Sequence, residues 1–306
     1  MRDTFVRTLI NIAKSDSQVH LITGDLGFGV LKPFWEELPK QFINLGIAEQ
    51  NMTGFAAGLA LEGKIVYTYS IGNFPTLRCL EQIRNDCAYH KANVKIVCVG
   101  GGLVYGALGM SHHATEDLAI MRALPGVTVM SPADSVETEY AVRAIHEQPG
   151  TCYLRLGRGQ EERIHDTIDD FQIGKAIPIQ EGKDVAIFST GSIIGEVLTA
   201  KKLLKEKGIH PGIYSFPTVK PIDANLIKAC ANAYDYIVTV EEHNIIGGFG
   251  SAVSEIVSEL KGKRASMIRL GIKDQYISLV GSQDYLRDYC QLKAAGISES
   301  IIRVAT

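Results

Sequence analysis

The chain has 306 residues, a formal net charge of −3, and 46% apolar content. That is enough for two domains with real cores. The balanced charge, with no basic stripe interleaved with aromatics, argues against nucleic acid as the main partner. No apolar run approaches the roughly 20 residues needed to span a bilayer, and Met1-Arg2-Asp3-Thr4-Phe5 does not begin a signal peptide, so no membrane partner is expected.

In chain order, residues 2–16 place Phe5, Val6, Leu9, Ile10 and Ala13 at helical spacing. Strands are predicted over 19–23, 65–69, 95–99, 127–130 and 152–156. Helices are predicted between them, over 51–62, 77–89, 115–124 and 136–148. This alternation predicts an α/β fold whose mostly parallel sheet carries helices on both faces. The stretch 157–182 breaks the rhythm: it is turn-rich and charged, with Glu161, Glu162, Arg163, Asp166, Asp169 and Asp170. It reads as a connection. A second α/β unit follows, with strands over 184–189, 212–216, 236–240 and 265–270 and helices over 194–207, 224–233 and 251–260. The expected division is a first domain over 1–165, a linker over 166–183 and a second domain over 184–306.

Six scattered cysteines (Cys79, Cys87, Cys98, Cys152, Cys230 and Cys290) form no Cys-x-x-Cys pair. Neither a zinc site nor a disulfide framework is expected, and reduced thiols in a cytoplasmic protein fit this usage. Gly247-Gly248-Phe249-Gly250 suggests a dinucleotide turn, but Val253 stands where a third glycine belongs. A tight turn explains it better.

The most informative run is Asn44-Leu45-Gly46-Ile47-Ala48-Glu49-Gln50-Asn51-Met52. Phe42 and Ile43 lead into a glycine turn. A helix rich in Gly54, Ala56, Ala57, Gly58 and Ala60 follows, and Glu49 falls in its first turn. In an open α/β sheet this is the carboxyl end of a strand, where ligands bind. By position alone, Glu49 only complements the helix dipole, worth about 0.3–1 kcal/mol. Other segments add to the run: Gly24-Asp25-Leu26, Arg78-Cys79-Leu80-Glu81-Gln82-Ile83-Arg84-Asn85-Asp86, Ser111-His112-His113-Ala114-Thr115-Glu116-Asp117-Leu118, Ser131-Pro132-Ala133-Asp134, Arg155-Leu156-Gly157-Arg158, Val219-Lys220-Pro221-Ile222-Asp223 and Val240-Glu241-Glu242-His243-Asn244.

Together these segments resemble thiamine diphosphate enzymes of the transketolase family, including deoxyxylulose-phosphate synthase. The order is kept along nearly the whole chain, as a pyrimidine-binding domain followed by a transketolase C-terminal domain. The resemblance implies that Glu49 exchanges a proton with the aminopyrimidine ring of thiamine diphosphate. It implies that Phe74 stacks on that ring and Ile71 forms a second apolar wall. Leu26 would hold the cofactor bent, and Asp25 and Ile47 complete the cofactor-binding set. His112 would face the substrate and take part in catalysis, and His113 and Arg158 would bind substrate, Arg158 at its phosphate. His112 can move protons near neutral pH, and a guanidinium suits oxyanions. An ordinary core position for Phe74, helix capping by Ser111 and Thr115, and a solvated charge at Arg158 are the plain readings of the same residues.

Three positions depart from the family pattern. Gly100-Gly101-Gly102 stands where relatives grip substrate phosphate with His or Arg, Gly29 stands where transketolases use serine, and Leu108 stands where an aspartate contacts a substrate hydroxyl. At least one unphosphorylated or nucleotide-linked substrate is therefore expected. No Gly-Asp-Gly segment followed by Asn is present to hold a divalent metal, a role that needs oxygen ligands. The chain then reads as the C-terminal half of a transketolase. The diphosphate and its Mg2+ or Ca2+ would be held by a separate diphosphate-binding N-terminal subunit. A homodimer core within a two-plus-two heterotetramer is the expected assembly. The activity implied is transfer of a two-carbon ketol unit from a ketose donor to an aldehyde acceptor. The β subunit of a 2-oxoacid dehydrogenase, a deoxyxylulose-phosphate synthase fragment and a non-catalytic scaffolding paralogue are the alternative readings.

Overall fold

The computed structural model describes residues 1–159, 161–262 and 264–305. Helix α1 (Arg2–Ser15) buries Phe5, Val6, Leu9, Ile10 and Ala13 along one stripe. Strands β1 (Val19–Thr23), β3 (Ile65–Ile71), β4 (Val94–Val99) and β6 (Cys152–Leu156) are largely buried on both faces, as parallel strands between helical layers must be. With β2 (Phe42–Asn44), β5 (Thr128–Met130) and β10 (Thr218–Lys220), they form a seven-stranded sheet in the order β10-β5-β6-β4-β3-β1-β2. All neighbours are parallel except β10, which runs antiparallel to β5.

A second sheet has the order β12-β11-β8-β9-β7. Its strands are β7 (Ile177–Gln180), β8 (Val185–Thr190), β9 (Pro211–Ser215), β11 (Tyr236–Asn244) and β12 (Ser266–Ile272). The molecule is thus α/β, with two mostly parallel sheets flanked by helices.

Several elements differ from the sequence reading, including the helix Phe28–Glu37, which it does not predict. The connection 166–183 contains β7, an edge strand paired antiparallel with β9; its short, partly polar sequence carries little periodicity. Strand β10 lies in the C-terminal half of the chain but pairs with the first sheet, and Lys220 Nζ donates to the carbonyls of Arg122 and Leu124. The helix expected over 77–89 is only Leu80–Gln82 (α4), continued by a π-turn over Ile83–Ala88. Pro75 lacks an N–H group, and residues 72–79 are spent in turns.

One core cluster runs through both sheets, joining Ile22, Met52 and Ile96 to Phe188, Phe216 and Phe249. Strand register decides where the site lies. Thr23 pairs with Asn44 and with Tyr69, and Ile71 pairs with Val99. The carboxyl ends of β1, β2, β3 and β4 therefore align. The loops that leave them, at Gly24, Leu45, Gly72 and Gly100, share one edge of the first sheet.

Candidate active site

Glu49 opens helix α3 (Glu49–Leu61) and is only 3% exposed. Gly46, at φ +74°, makes the turn that feeds it. A Cβ at Gly24 would lie 3.2 Å from the Gly46 carbonyl oxygen and 3.7 Å from Glu49 Cγ, so glycine there lets two strand-end loops close around the carboxylate. Thr53 Oγ1 donates to the Glu49 carbonyl at 2.9 Å and ties down the first turn. Among the described residues, the carboxylate has one charged partner: Arg78 Nη1 donates to Glu49 Oε2 at 2.8 Å.

The other residues singled out in the sequence divide into two groups. Phe74 is half-buried and lies 5.2 Å from the His112 ring in an edge-on arrangement. The Arg78 guanidinium lies 4.6 Å from the centre of the same Phe74 ring. Glu49, Arg78, Phe74 and His112 are therefore one linked constellation. Ile71 and Leu26 are half-buried at the ends of β3 and β1. Ile47 is 78% exposed, two residues before Glu49 in the chain. Asp25 is exposed at φ +57°; its backbone N–H donates to Asn44 Oδ1, and its Oδ1 accepts from Asn44 Nδ2. This clasp links the ends of β1 and β2.

His113 is buried, and its Nε2 has no hydrogen-bond partner. Burial pushes its pKa down. His112 is half-buried in the 3-10 turn Met110–His112, with Ser111 Oγ 3.0 Å from its Nδ1. Arg158 is exposed, with its guanidinium 5.6 Å from the centre of the Tyr105 ring.

The family model described as the transketolase pyrimidine-binding domain matches residues 1–162, and that of the transketolase C-terminal domain matches residues 174–297. This chain belongs to the transketolase family. Among its relatives is a putative transketolase C-terminal section from Methanocaldococcus jannaschii, 40% identical over 305 residues, 99% of this chain and 95% of that protein. Another is a 6-deoxy-6-sulfo-D-fructose transketolase subunit from a Clostridium species, 36% identical and covering 100% of this chain and 93% of that subunit. A solved structure described as a split gene transketolase, inactive beta4 tetramer, superposes with TM-score 0.89 at 33% identity, covering 99% of this chain and 97% of that one.

Transketolases depend on thiamine diphosphate, and the constellation suits the pyrimidine end of that cofactor. A buried carboxylate can accept an N–H bond from a heterocycle, the Gly24 cradle leaves backbone rather than side chain beside it, and Phe74 offers a ring face. The diphosphate end is different. Among the described residues, no group of three or more His, Cys, Asp or Glu side chains is placed to hold a metal ion.

Side chains from distant segments rest directly on the backbone at 100–102. Gly100, at φ +89°, would carry a Cβ 2.1 Å from Tyr105 Cε2. A Cβ at Gly101 would lie 2.6 Å from Arg155 Nε, and one at Gly102 would lie 2.6 Å from Glu242 Oε1. Glycines are required because Tyr105, Arg155 and Glu242 rest directly on this backbone. Gly100→Ala should destabilise the fold by about 1–3 kcal/mol through overpacking on a backbone that disfavours L side chains. Denaturant midpoints with an unchanged m-value would show it; a midpoint equal to wild type would mean that Tyr105 yields freely.

Sequence reading found the Glu241-Glu242-His243 run but not what it does. Arg155 Nε donates to Asp117 Oδ2 at 2.8 Å, and Tyr153 OH donates to the same oxygen at 2.6 Å. The Arg155 Nη2 atom bridges the carbonyls of Ala114 and Glu242. Glu242 accepts from the Leu103 N–H, Gln283 and Arg287. Glu241 accepts the Phe249 and Gly250 N–H groups, which begin helix α9 (Phe249–Ser258). His243 Nδ1 faces the Asn244 carbonyl at 2.6 Å, while its Nε2 faces the Ala119 N–H at 3.3 Å. That pattern assigns a neutral ring protonated at Nδ1. The network ties the second half of the chain to the loops that frame the site.

Two groups in it titrate with opposite effects on stability. Burial pushes the Glu241 carboxyl up from 4.5 to about 7, opposed by the two N–H donors and by Arg155 and Arg269. Its raised pKa favours the folded state below pH 4.5, and that stability is lost as pH rises through 7. Burial pushes His243 down from 6.5 to about 4. Its contribution is present above pH 6.5 and is lost as pH falls through 4. Between pH 4.5 and 6.5 the two slopes oppose each other. Thermal melts of His243→Gln should therefore show stability falling as pH rises from 4.5 to 7, with wild type flatter over that range. Parallel profiles would contradict the assignment.

Proposed function

We propose that this chain is the pyrimidine-binding subunit of a split transketolase that moves a two-carbon ketol unit from a ketose donor to an aldehyde acceptor. The buried carboxylate of Glu49, at the aligned strand ends beside Phe74, is the observation that carries the reading. Bound thiamine diphosphate supplies the carbon nucleophile and the electron sink for cleaving the ketose. Glu49 would accept the ring N–H and exchange a proton with the pyrimidine. Phe74, Ile71 and Leu26 would hold the ring, with Asp25 and Ile47 completing the set. His112, held against Phe74, hydrogen-bonds substrate oxygens and moves protons, and the buried His113 follows it in the chain. Arg158 offers a guanidinium for an anionic end of the substrate.

A second, diphosphate-binding subunit holds the diphosphate and its metal, Mg2+ or Ca2+, through the oxygen ligands such a cation needs. The relatives named as a C-terminal section and as a subunit, and the split-gene neighbour, support that division. The neighbour's description as an inactive tetramer of β chains supports a core made of copies of this subunit within a heterotetramer. The glycine floor at 100–102, which excludes a gripping side chain, favours at least one substrate other than an ordinary sugar phosphate; the relative named for a sulfonated sugar points the same way.

The test is to co-purify the chain with its partner, load thiamine diphosphate and Mg2+, and profile ketol transfer across donors and acceptors. Transfer between non-standard sugars is expected. Decarboxylation of pyruvate without aldehyde transfer would replace this reading with the 2-oxoacid dehydrogenase one.

A further inference from the structure

Arg78 makes both of the contacts that the constellation offers to a pyrimidine. Its Nη1 donates to Glu49 Oε2 at 2.8 Å, and its guanidinium lies 4.6 Å from the Phe74 ring centre. A guanidinium is planar, carries N–H donors at its edge and presents a cationic face to an aromatic ring. An aminopyrimidine presents the same two features, an N–H edge and a flat face, to the same two side chains. Both groups cannot occupy Glu49 Oε2 and that face of Phe74 together.

Arg78 is also built to leave. It lies in the turns before α4, not within a helix, and its side chain is 47% exposed. Among the described residues, Glu49 is the only hydrogen-bond partner of its side chain, while its backbone N–H donates to the Asn73 carbonyl. Glu49, by contrast, is 3% exposed and fixed in the first turn of α3. An uncompensated buried carboxylate is costly, so a mobile cation that neutralises it stabilises the chain whenever no ligand is present.

We propose that Arg78 is an internal occupant of the pyrimidine site. It stands in for the heterocycle, swings into solvent when the cofactor arrives, and thereby lowers the cofactor's affinity. This rests on the transketolase reading above. It predicts a direction that a simple binding residue would not give: removing Arg78 tightens cofactor binding.

The experiment is calorimetric titration of thiamine diphosphate, with Mg2+ present, into the complex of this chain with its diphosphate-binding partner. Wild type, Arg78→Gln and Arg78→Lys are compared. Gln retains a donor but neither the charge nor the flat cationic face. Lys keeps the charge and loses the planar stack. The dissociation constant of Arg78→Gln should fall about tenfold, the combined effect of one half-exposed ion pair and one cation–π contact. Arg78→Lys should fall between it and wild type. Should Arg78→Gln not fold, Arg78→Lys alone must bind more tightly than wild type. Unchanged or weaker binding by the folded variants overturns the proposal. Failure of wild type to take up cofactor while Arg78→Gln does so would support it. Failure of all three would remove both this inference and the transketolase reading, whereas binding by wild type without tightening in the variants removes only the inference.

Discussion

Glu49→Gln should lower kcat of the reconstituted complex by about 10²–10⁴-fold, the range expected when a positioned proton-transfer group is lost, and should leave the fold intact. The glutamine is nearly isosteric, and the Arg78 N–H that now meets Glu49 Oε2 can donate to the amide oxygen instead. What disappears is a group that takes and returns a proton. Steady-state kinetics beside a thermal melt separate the two effects. A near-wild-type kcat would end the assignment of Glu49 as the proton-exchanging carboxylate. A collapsed melt would mean that its charge is needed for stability before it is needed for chemistry. The same complex with Glu49→Asp should recover part of kcat at most, because α3 begins at this residue and the shorter side chain cannot extend as far into the site.

The second large effect concerns the network under the site. Arg155→Met should cost about 3–5 kcal/mol, the range for removing one partner of a buried ion pair. Arg155 is 5% exposed and Asp117 1% exposed, so neither can recover hydration. The guanidinium also holds the Ala114 and Glu242 carbonyls. Its loss frees the segment that follows His113 and loosens the contact between the chain's two halves. Urea unfolding gives the number. A double variant, Asp117→Leu with Arg155→Met, should recover part of the loss, since an apolar pair no longer strands a buried charge. A single variant within 1 kcal/mol of wild type would show that water reaches Asp117 and that the network contributes little.

Much of this protein was legible in its residues because the relevant physics is local. Parallel strands buried on both faces read as short apolar runs, and those at 19–23, 95–99 and 152–156 were found with nearly their observed limits. The Gly46 turn, the small-residue helix and a carboxylate between them announced a strand-end site, and the structure places Glu49 there, buried. Phe74 and His112 were named separately, and the fold brings them together.

What the sequence could not show depends on contacts between distant residues. Leu103 and Glu242 meet across 139 positions, and Arg155 reaches the Glu242 carbonyl across 87; no periodicity encodes such pairs. The glycines at 100–102 read as a missing phosphate grip, but nothing in the sequence shows that Tyr105, Arg155 and Glu242 pack directly on their backbone. Strand β10 crosses to the first sheet, where it pairs antiparallel with β5 and so satisfies its backbone groups there. Arg78 stood in the sequence as one charge ahead of a helix. Only the turn of residues 72–79 aims it at Glu49 and Phe74. Local pattern and composition determined the class of fold and the position of the carboxylate. Long-range packing decided what surrounds that carboxylate, because burial and pairing depend on which distant segments the chain brings against it.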